Sequence, residues 1–280
     1  MHSRSRKFLS YYRPYLKLLA ADLACAVVVS AITLILPLCA RHITKTILAQ
    51  GAPNALDQIY TVGVFMLALI VVHALCSMFI SYQGHMMGAW MESDMRTEVF
   101  DHYQNLSFGF YDEQKTGQLM NRMTNDTFWL GELCHHGPED IVITSIKFFG
   151  TFLILLTINV PLTLIVFAFL PFMTAYAFYF NKKMNIALRK SKDRIGDINA
   201  QVEDTLAGIR VVKSFTNADL EKNKFAFEND RFVKARREGY RSEAYFHDGV
   251  VAFTHIFTII VVVFGGASIV NANLDLADLV

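Results

Sequence analysis

Residues 62–80 read VGVFMLALIVVHALCSMFI, nineteen positions without one Asp, Glu, Lys or Arg. In a helix such a run extends about 28 Å, close to the ~30 Å of a bilayer's hydrocarbon core. Residues 161–180 and 250–270 are equally free of charge. Two further runs carry one charged residue each, 18–40 with Asp22 and 141–158 with Lys147. Asp22 lies near one end of its run, where a carboxylate either reaches the headgroups or faces a cavity. Lys147 either snorkels toward headgroups or selects an acidic substrate. The expected fold class is all-α, a polytopic membrane helix bundle with spans at about 18–40, 59–82, 141–158, 161–180 and 250–270.

The basic residues set an expected orientation. Arg4, Arg6, Lys7, Arg13 and Lys17 crowd the tail of residues 1–17, Arg96, Lys115 and Arg122 follow the second span, and fifteen more lie between the fourth and fifth. The opposite loops, 50–58 and 159–160, have none. Because cytoplasmic loops accumulate Lys and Arg, the N-terminus is expected in the cytoplasm of a multi-pass cell-membrane protein, in contact with the lipid bilayer. Arg41 and Lys45, at the outer end of the first span, break the pattern. The net charge of +1 gives no reason to expect a nucleic-acid partner.

Composition supports the same reading, with 53% hydrophobic residues and little chain left over for a separate soluble domain. Cys25, Cys39, Cys76 and Cys134 have no metal-ligand spacing and read as reduced packing residues. His135 and His136 are adjacent, but neighbours on a helix point about 100° apart, so they read as a surface pair near the end of a stalk and no metal is expected.

The inside segments, 83–140 and 181–245, are long yet look helical. Residues 81–107 and 181–245 contain no proline, and Ile195, Ile198, Val202, Leu206 and Ile209 recur at the spacing of one buried helix face. One helix over 59–106 would be about 72 Å long, so roughly 40 Å would project beyond the hydrocarbon. These stalks turn at two tips. Residues 110–127 read FYDEQKTGQLMNRMTNDT, with Gly117 as the expected helix break. Residues 204–225 read DTLAGIRVVKSFTNADLEKNKF, where Gly208 interrupts the helix ahead of an Asn217-Ala218-Asp219 cap.

Together these strings resemble the transmembrane domain of ABC exporters, whose half-molecule has six spans. The family's aromatic-aromatic-Asp run and Gly-x-Leu-x-x-Arg-x-x-x-Asp pattern are matched by Phe110, Tyr111 and Asp112, and by Gly117, Leu119, Arg122 and Asp126. Its Gly-Ile-x-Val-Val-Lys-x-Phe pattern is matched by Gly208, Ile209, Val211, Val212, Lys213 and Phe215, and the short helix that follows by Asp219, Glu221 and Phe225. The turn NVPLTLIVFAFLPF at 159–172 is also similar.

The resemblance covers nearly the whole chain and implies a transmembrane domain over 18–280. It implies that the tips are coupling elements for a nucleotide-binding domain: Tyr111, Asp112, Glu113, Gln114 and Lys115 at the first, and Asn217, Ala218, Asp219, Leu220, Glu221 and Lys222 at the second. It further implies a dimer or pseudo-dimer with a second transmembrane half, and ATP with Mg at nucleotide-binding domains supplied in cis or trans. The final residues, NANLDLADLV, resemble an outside turn of the family, with Ala272 and Ala277 where glycines are usual and Asp275 where Thr is. No Gly-x-x-x-x-Gly-Lys-Ser/Thr loop occurs, so no catalytic residue and no cofactor are assigned to this chain. Five spans break the six-span repeat, so a fragment of a longer transporter is expected, the other reading being that a second polypeptide supplies the rest. A different class of function, a five-span receptor or scaffold whose stalks only present a docking surface, requires no ATP.

Overall fold

The computed structural model describes residues 2–49, 54–114, 116–271, 274, 275 and 278, the side chains of 2–5 and 113 excepted. Lys115, Ala272 and Ala277 lie outside the described residues. Among the described residues every regular element is helical. In chain order these are α1 (His2–Ser10), a 3-10 turn (Arg13–Tyr15), α2 (Leu16–His42), a π turn (Ile43–Leu48), α3 (Ala55–Phe79), a π turn (Ile80–Gly84) and α4 (His85–Gln104). Then come α5 (Phe108–Glu113), α6 (Thr116–Asn121), a π turn (Arg122–Asp126), α7 (Thr127–Ile158), α8 (Val160–Ala207), α9 (Ile209–Ser214) and α10 (Ala218–Val270).

Among the described residues five rods are long and apolar enough to cross a membrane: Arg6–Leu48, Ala55–Gln104, Thr116–Ile158, Val160–Ala207 and Ala218–Val270. Each contains one of the five expected apolar runs. The second rod realises the helix expected over 59–106 and, at 50 residues, is about 75 Å long. Fully helical rods are what lipid demands, because a backbone amide in hydrocarbon has no water to bond to.

The chain divides into two compact units, Met1–Ile158 with Asp275–Asp278, and Asn159–Leu274. In the first unit α2 packs on α3 and α7, and α4 packs on α7. Tyr12, Met87, Met91, Met95 and Cys134 form its buried core at the stalk end, and Ala26, Val29 and Ile80 form a second cluster within the spans. All four cysteines are free. The basic tail is a docked element. Lys7 Nζ bonds Glu98 Oε1 at 2.6 Å, the Tyr15 hydroxyl donates to Asp94 at 2.8 Å, and the Tyr12 hydroxyl donates to the Cys134 carbonyl at 2.9 Å. Where α4 and α7 come closest, glycine faces glycine. A Cβ placed on Gly88 would stand 3.0 Å from the Gly131 carbonyl, and one on Gly131 would stand 3.0 Å from Glu92 Cβ.

The two misplaced cations have a local reason. Arg41 Nε and Lys45 Nζ each donate to the Asp278 carboxylate at 2.6 Å, and that side chain is only 5% exposed. Burial raises the Asp278 pKa, but the hydrogen bonds from Lys45 and Arg41 outweigh it and hold the carboxyl below its ordinary range.

The second unit is the antiparallel pair α8 and α10, of 48 and 53 residues. Asn159 caps α8 by accepting the Leu162 amide at 3.0 Å, with Pro161 in the first turn. The buried residues on the pair's stalk are small: Ala187 and Ser191 on α8, Ala235 and Gly239 on α10. The apolar stripe expected to be the buried face is instead mostly open, with Ile195 43%, Val202 36% and Leu206 62% exposed and Ile198 and Ile209 half-buried. Periodicity locates an apolar face but does not say which element covers it. Here the close approach of the two stalk helices, with Ala187 Cβ 4.0 Å from the position a Cβ on Gly239 would take, selects the small side chains.

The glycine contact is directly testable by thermal unfolding in detergent. Gly131→Leu is expected to destabilise the protein by about 1–3 kcal/mol through overpacking. Gly63→Leu, where an added Cβ meets nothing within 4 Å, is expected to leave the midpoint unchanged.

Candidate functional site

Both tips are built as abrupt reversals of long helices. At the first, α4 ends at Gln104, and the Asn105 side chain donates back to the Asp101 carbonyl at 2.8 Å. Ser107 is extended, and seven residues later so is Gln114, so α5 is a separate six-residue helical segment between two extended positions. The Tyr111 hydroxyl donates to the Tyr103 carbonyl and pins α5 to the end of α4. Tyr103 in turn donates to the Leu119 carbonyl at 3.3 Å, and Leu119 is buried. Phe108 is 91% exposed at the start of α5.

The expected break at Gly117 is corrected by the structure. Gly117 sits within α6, and an added Cβ there would meet open space, so no steric constraint demands glycine. The helix break falls at Gln114, whose extended backbone ends α5. Arg122 and Asp126 bracket a π turn and both face solvent.

At the second tip Gly208 does end the helix, as expected, with φ −89°. The free-standing segment is α9, which carries the Ile-Arg-Val-Val-Lys run, with Val212 half-buried and Lys213 exposed. The chain then reverses at Thr216, a non-glycine residue with φ 55°, and the Asn217 amide donates to the Val212 carbonyl at 3.0 Å. Asn217 stands at the N-cap position of α10 but makes no side-chain cap bond. Residues 218–222 form the first turn of α10 rather than a separate helix.

The charged residues of this turn divide into two roles. Asp219 and Lys222 pair at 3.0 Å on an open surface, with side chains 91% and 74% exposed. Glu221 points inward. Its Oε2 accepts from Thr205 Oγ1 at 2.7 Å and Gln201 Nε2 at 3.0 Å, while Oε1 accepts from Lys224 at 2.6 Å. The hydrogen bonds from Lys224 and then Thr205 hold its carboxyl below the ordinary range. A cavity of about 380 Å³ lies beside this brace, lined by Val202, Leu206, Ile209, Val212 and Phe225. Val211 and Phe215 remain 61% and 72% exposed. Each tip therefore offers a protruding aromatic residue on a short helical segment joined directly to a rod that contains a span.

Residues 19–280 match the family described as the ABC transporter transmembrane region. The chain belongs to that family. It is also 36% identical over 277 residues to the uncharacterised ABC transporter ATP-binding protein YwjA of Bacillus subtilis, covering 98% of this chain and 47% of that protein. The putative multidrug export ATP-binding/permease protein YgaD of Bacillus subtilis is 23% identical over 279 residues, 98% of this chain and 48% of its own length. The chain thus spans about half the length of these curated relatives. As an ABC transporter transmembrane region, it is a multi-pass membrane protein.

One expectation about polar residues in this transmembrane region fails. His135, read as half of a surface pair, is buried at 2% exposure, and Asp22, read as reaching headgroups or a cavity, is fully buried. The three helices that enclose them come from distant parts of the chain, and no local spacing signals their meeting. Burial, reinforced by His85 and His136, pushes the His135 pKa down to about 4, so its imidazole is neutral at pH 7.

The brace at the second tip predicts a local effect. Glu221→Ala is expected to speed amide hydrogen exchange across Ile209–Ser214 roughly tenfold or more, whereas Asp219→Ala leaves it unchanged. Because the Glu221 pKa is lowered on folding, the brace contributes fully above the ordinary carboxylate range and is lost as pH falls through the depressed value. Equal exchange in both variants at neutral pH contradicts this division.

Proposed function

We propose that this chain is the membrane-spanning half of an ATP-driven exporter, with its N-terminus in the cytoplasm. Its two stalk tips would dock on nucleotide-binding domains, present in cis or in trans, that bind ATP with Mg. Domain closure would move the rods as levers and alternate access to a pathway enclosed with a second transmembrane half. The observation that carries this reading is the pair of short helical segments that protrude Phe108 and Phe215 at 91% and 72% exposure, each joined to a rod containing a span. Exposed aromatic residues at a tight reversal suit insertion into a groove of a partner.

Two further features support it. The open stripe of Ile195, Val202 and Leu206 is an apolar face that a second transmembrane half would cover. The concentration of Lys and Arg at one end of the rods fits the cytoplasmic placement of the tips. The relatives' descriptions as ATP-binding proteins agree with a motor linked to this membrane region.

The test uses the complete transporter in proteoliposomes. Combined replacement of Phe215 by Ser and of Asp219 and Lys222 by Ala is expected to reduce substrate moved per ATP hydrolysed about tenfold, a coupling loss of roughly 1.4 kcal/mol. Membrane insertion and ATP binding should persist. An unchanged ratio of transport to hydrolysis would remove the tips from the coupling path, and transport that proceeds without ATP would remove the exporter reading.

A further inference from the structure

The polar residues buried in the first unit converge from three helices. Asp22 comes from α2, Gly84 and His85 from the junction of the π turn with α4, and His135 and Glu139 from one face of α7 at i, i+4 spacing. Asp22, His135 and Glu139 are 0%, 2% and 9% exposed. Both Asp22 carboxylate oxygens, both His135 ring nitrogens and Glu139 Oε2 are buried with no hydrogen-bond partner. Native interiors rarely leave such atoms unsatisfied, and each one needs an explanation.

An ion pair does not supply it. Among the described residues no Lys or Arg pairs with Asp22 or Glu139, and the closest approach, His135 Nε2 to Glu139 Oε2, leaves both atoms without a hydrogen-bond partner. Two buried carboxylates beside an imidazole are left without a Lys or Arg to oppose their charge. A divalent cation meets the whole requirement at once, because it neutralises the carboxylates and accepts the imidazole lone pair.

The distances agree. One ligand atom from each of Asp22, His135 and Glu139 lies within 4.8 Å of the others, and the same holds for His85, His135 and His136. Ligands about 2.0–2.2 Å from a tetrahedral Zn2+ stand roughly 3.3–3.6 Å from one another. His135 Nε2 and Glu139 Oε2 are 3.4 Å apart. His85, its ring centroid 4.5 Å from that of His135, stands at the rim where it can complete the set. Gly84 keeps the space clear. A methyl group on it would overlap the His135 ring and approach Asp22 Oδ1 to 2.9 Å.

We propose that Asp22, His135 and Glu139, completed by His85, form a binding site for one divalent transition-metal cation of the zinc class. Mixed imidazole and carboxylate donors suit Zn2+ and its first-row neighbours rather than Ca2+ or Mg2+. The cation ties α2, α4 and α7 together at the ends of their apolar stretches and so favours one arrangement of these helices over any other. The π turn that ends at Gly84 places the glycine and His85 against His135, a role such turns often have at functional sites.

The test uses the full-length protein in lipid nanodiscs, with any affinity tag removed and chelator-stripped, then equilibrated with zinc chloride. Metal content by mass spectrometry is expected to show one more zinc per chain in the wild type than in Asp22→Asn/His135→Gln. The single variant His135→Gln is expected to weaken that zinc's affinity at least tenfold, while His73→Gln, in the second span, leaves it unchanged. Equal zinc in wild type and double variant overturns the proposal. Should the variants fold poorly, Co2+ added to the wild type decides: the intense visible absorption of low-symmetry four-coordinate cobalt, displaced by one equivalent of zinc, supports the site, and its absence overturns it.

Discussion

A peptide group inside hydrocarbon must find its hydrogen-bond partner within the protein, and that constraint shapes this chain from end to end. It makes each apolar run a helix. The same helices continue for many residues past the apolar stretches, so the stalks share an axis with the spans. Val160–Ala207 and Ala218–Val270 pass from uncharged to highly charged sequence without a break in the helix. Pro138 and Pro171 are accommodated inside α7 and α8, and π turns at Ile80–Gly84 and Arg122–Asp126 adjust the register of side chains without ending the rods. A displacement at a stalk tip therefore has a stiff path toward the membrane.

Along the stalks, contacts between helices depend on close fit at small residues. Gly88 against Gly131 in the first unit, and Ala187 near Gly239 in the second, let backbones approach where larger residues would hold them apart. Large apolar residues are correspondingly left on the outside, toward lipid along the spans and uncovered along the stalk of α8. At the tips a few polar bonds replace packing. Glu221 braces the start of α10 to the end of α8, and Tyr111 folds α5 onto α4, leaving Phe108, Phe215 and the Asp219–Lys222 pair exposed.

Much of this was legible in the order of residues, for physical reasons that differ by feature. Span number follows from the length of uncharged runs, and the helix end at Gly208 from the cost of glycine within a helix. Long-range pairings were not legible. The periodic stripe from Ile195 to Ile209 marks an apolar face correctly, yet the residues that bury themselves between α8 and α10 are the inconspicuous Ala187, Ser191, Ala235 and Gly239. Arg41 and Lys45 contradict the charge asymmetry until Asp278 is found between them. Gly117 looks like a break because glycine often is one, whereas the helix breaks at Gln114. The meeting of Asp22, His85 and His135 joins positions more than sixty residues apart at the first step and fifty at the second, and spacing along a chain cannot reveal it.

Stiffness of the stalk is the claim on which the proposed lever action stands, and a distance within one helix tests it. Spin labels at positions 178 and 206, both exposed on α8, are separated by 28 residues, or about 42 Å of ideal helix. In the complete transporter, with the native cysteines replaced, pulsed electron paramagnetic resonance should return one narrow distance near that value both without nucleotide and with ATP trapped. Over the same change of state, the distance from position 206 to the matching position of the proposed second transmembrane half should shift. A distribution within α8 that broadens or shortens when ATP binds would show the stalk absorbing the motion and would contradict the account.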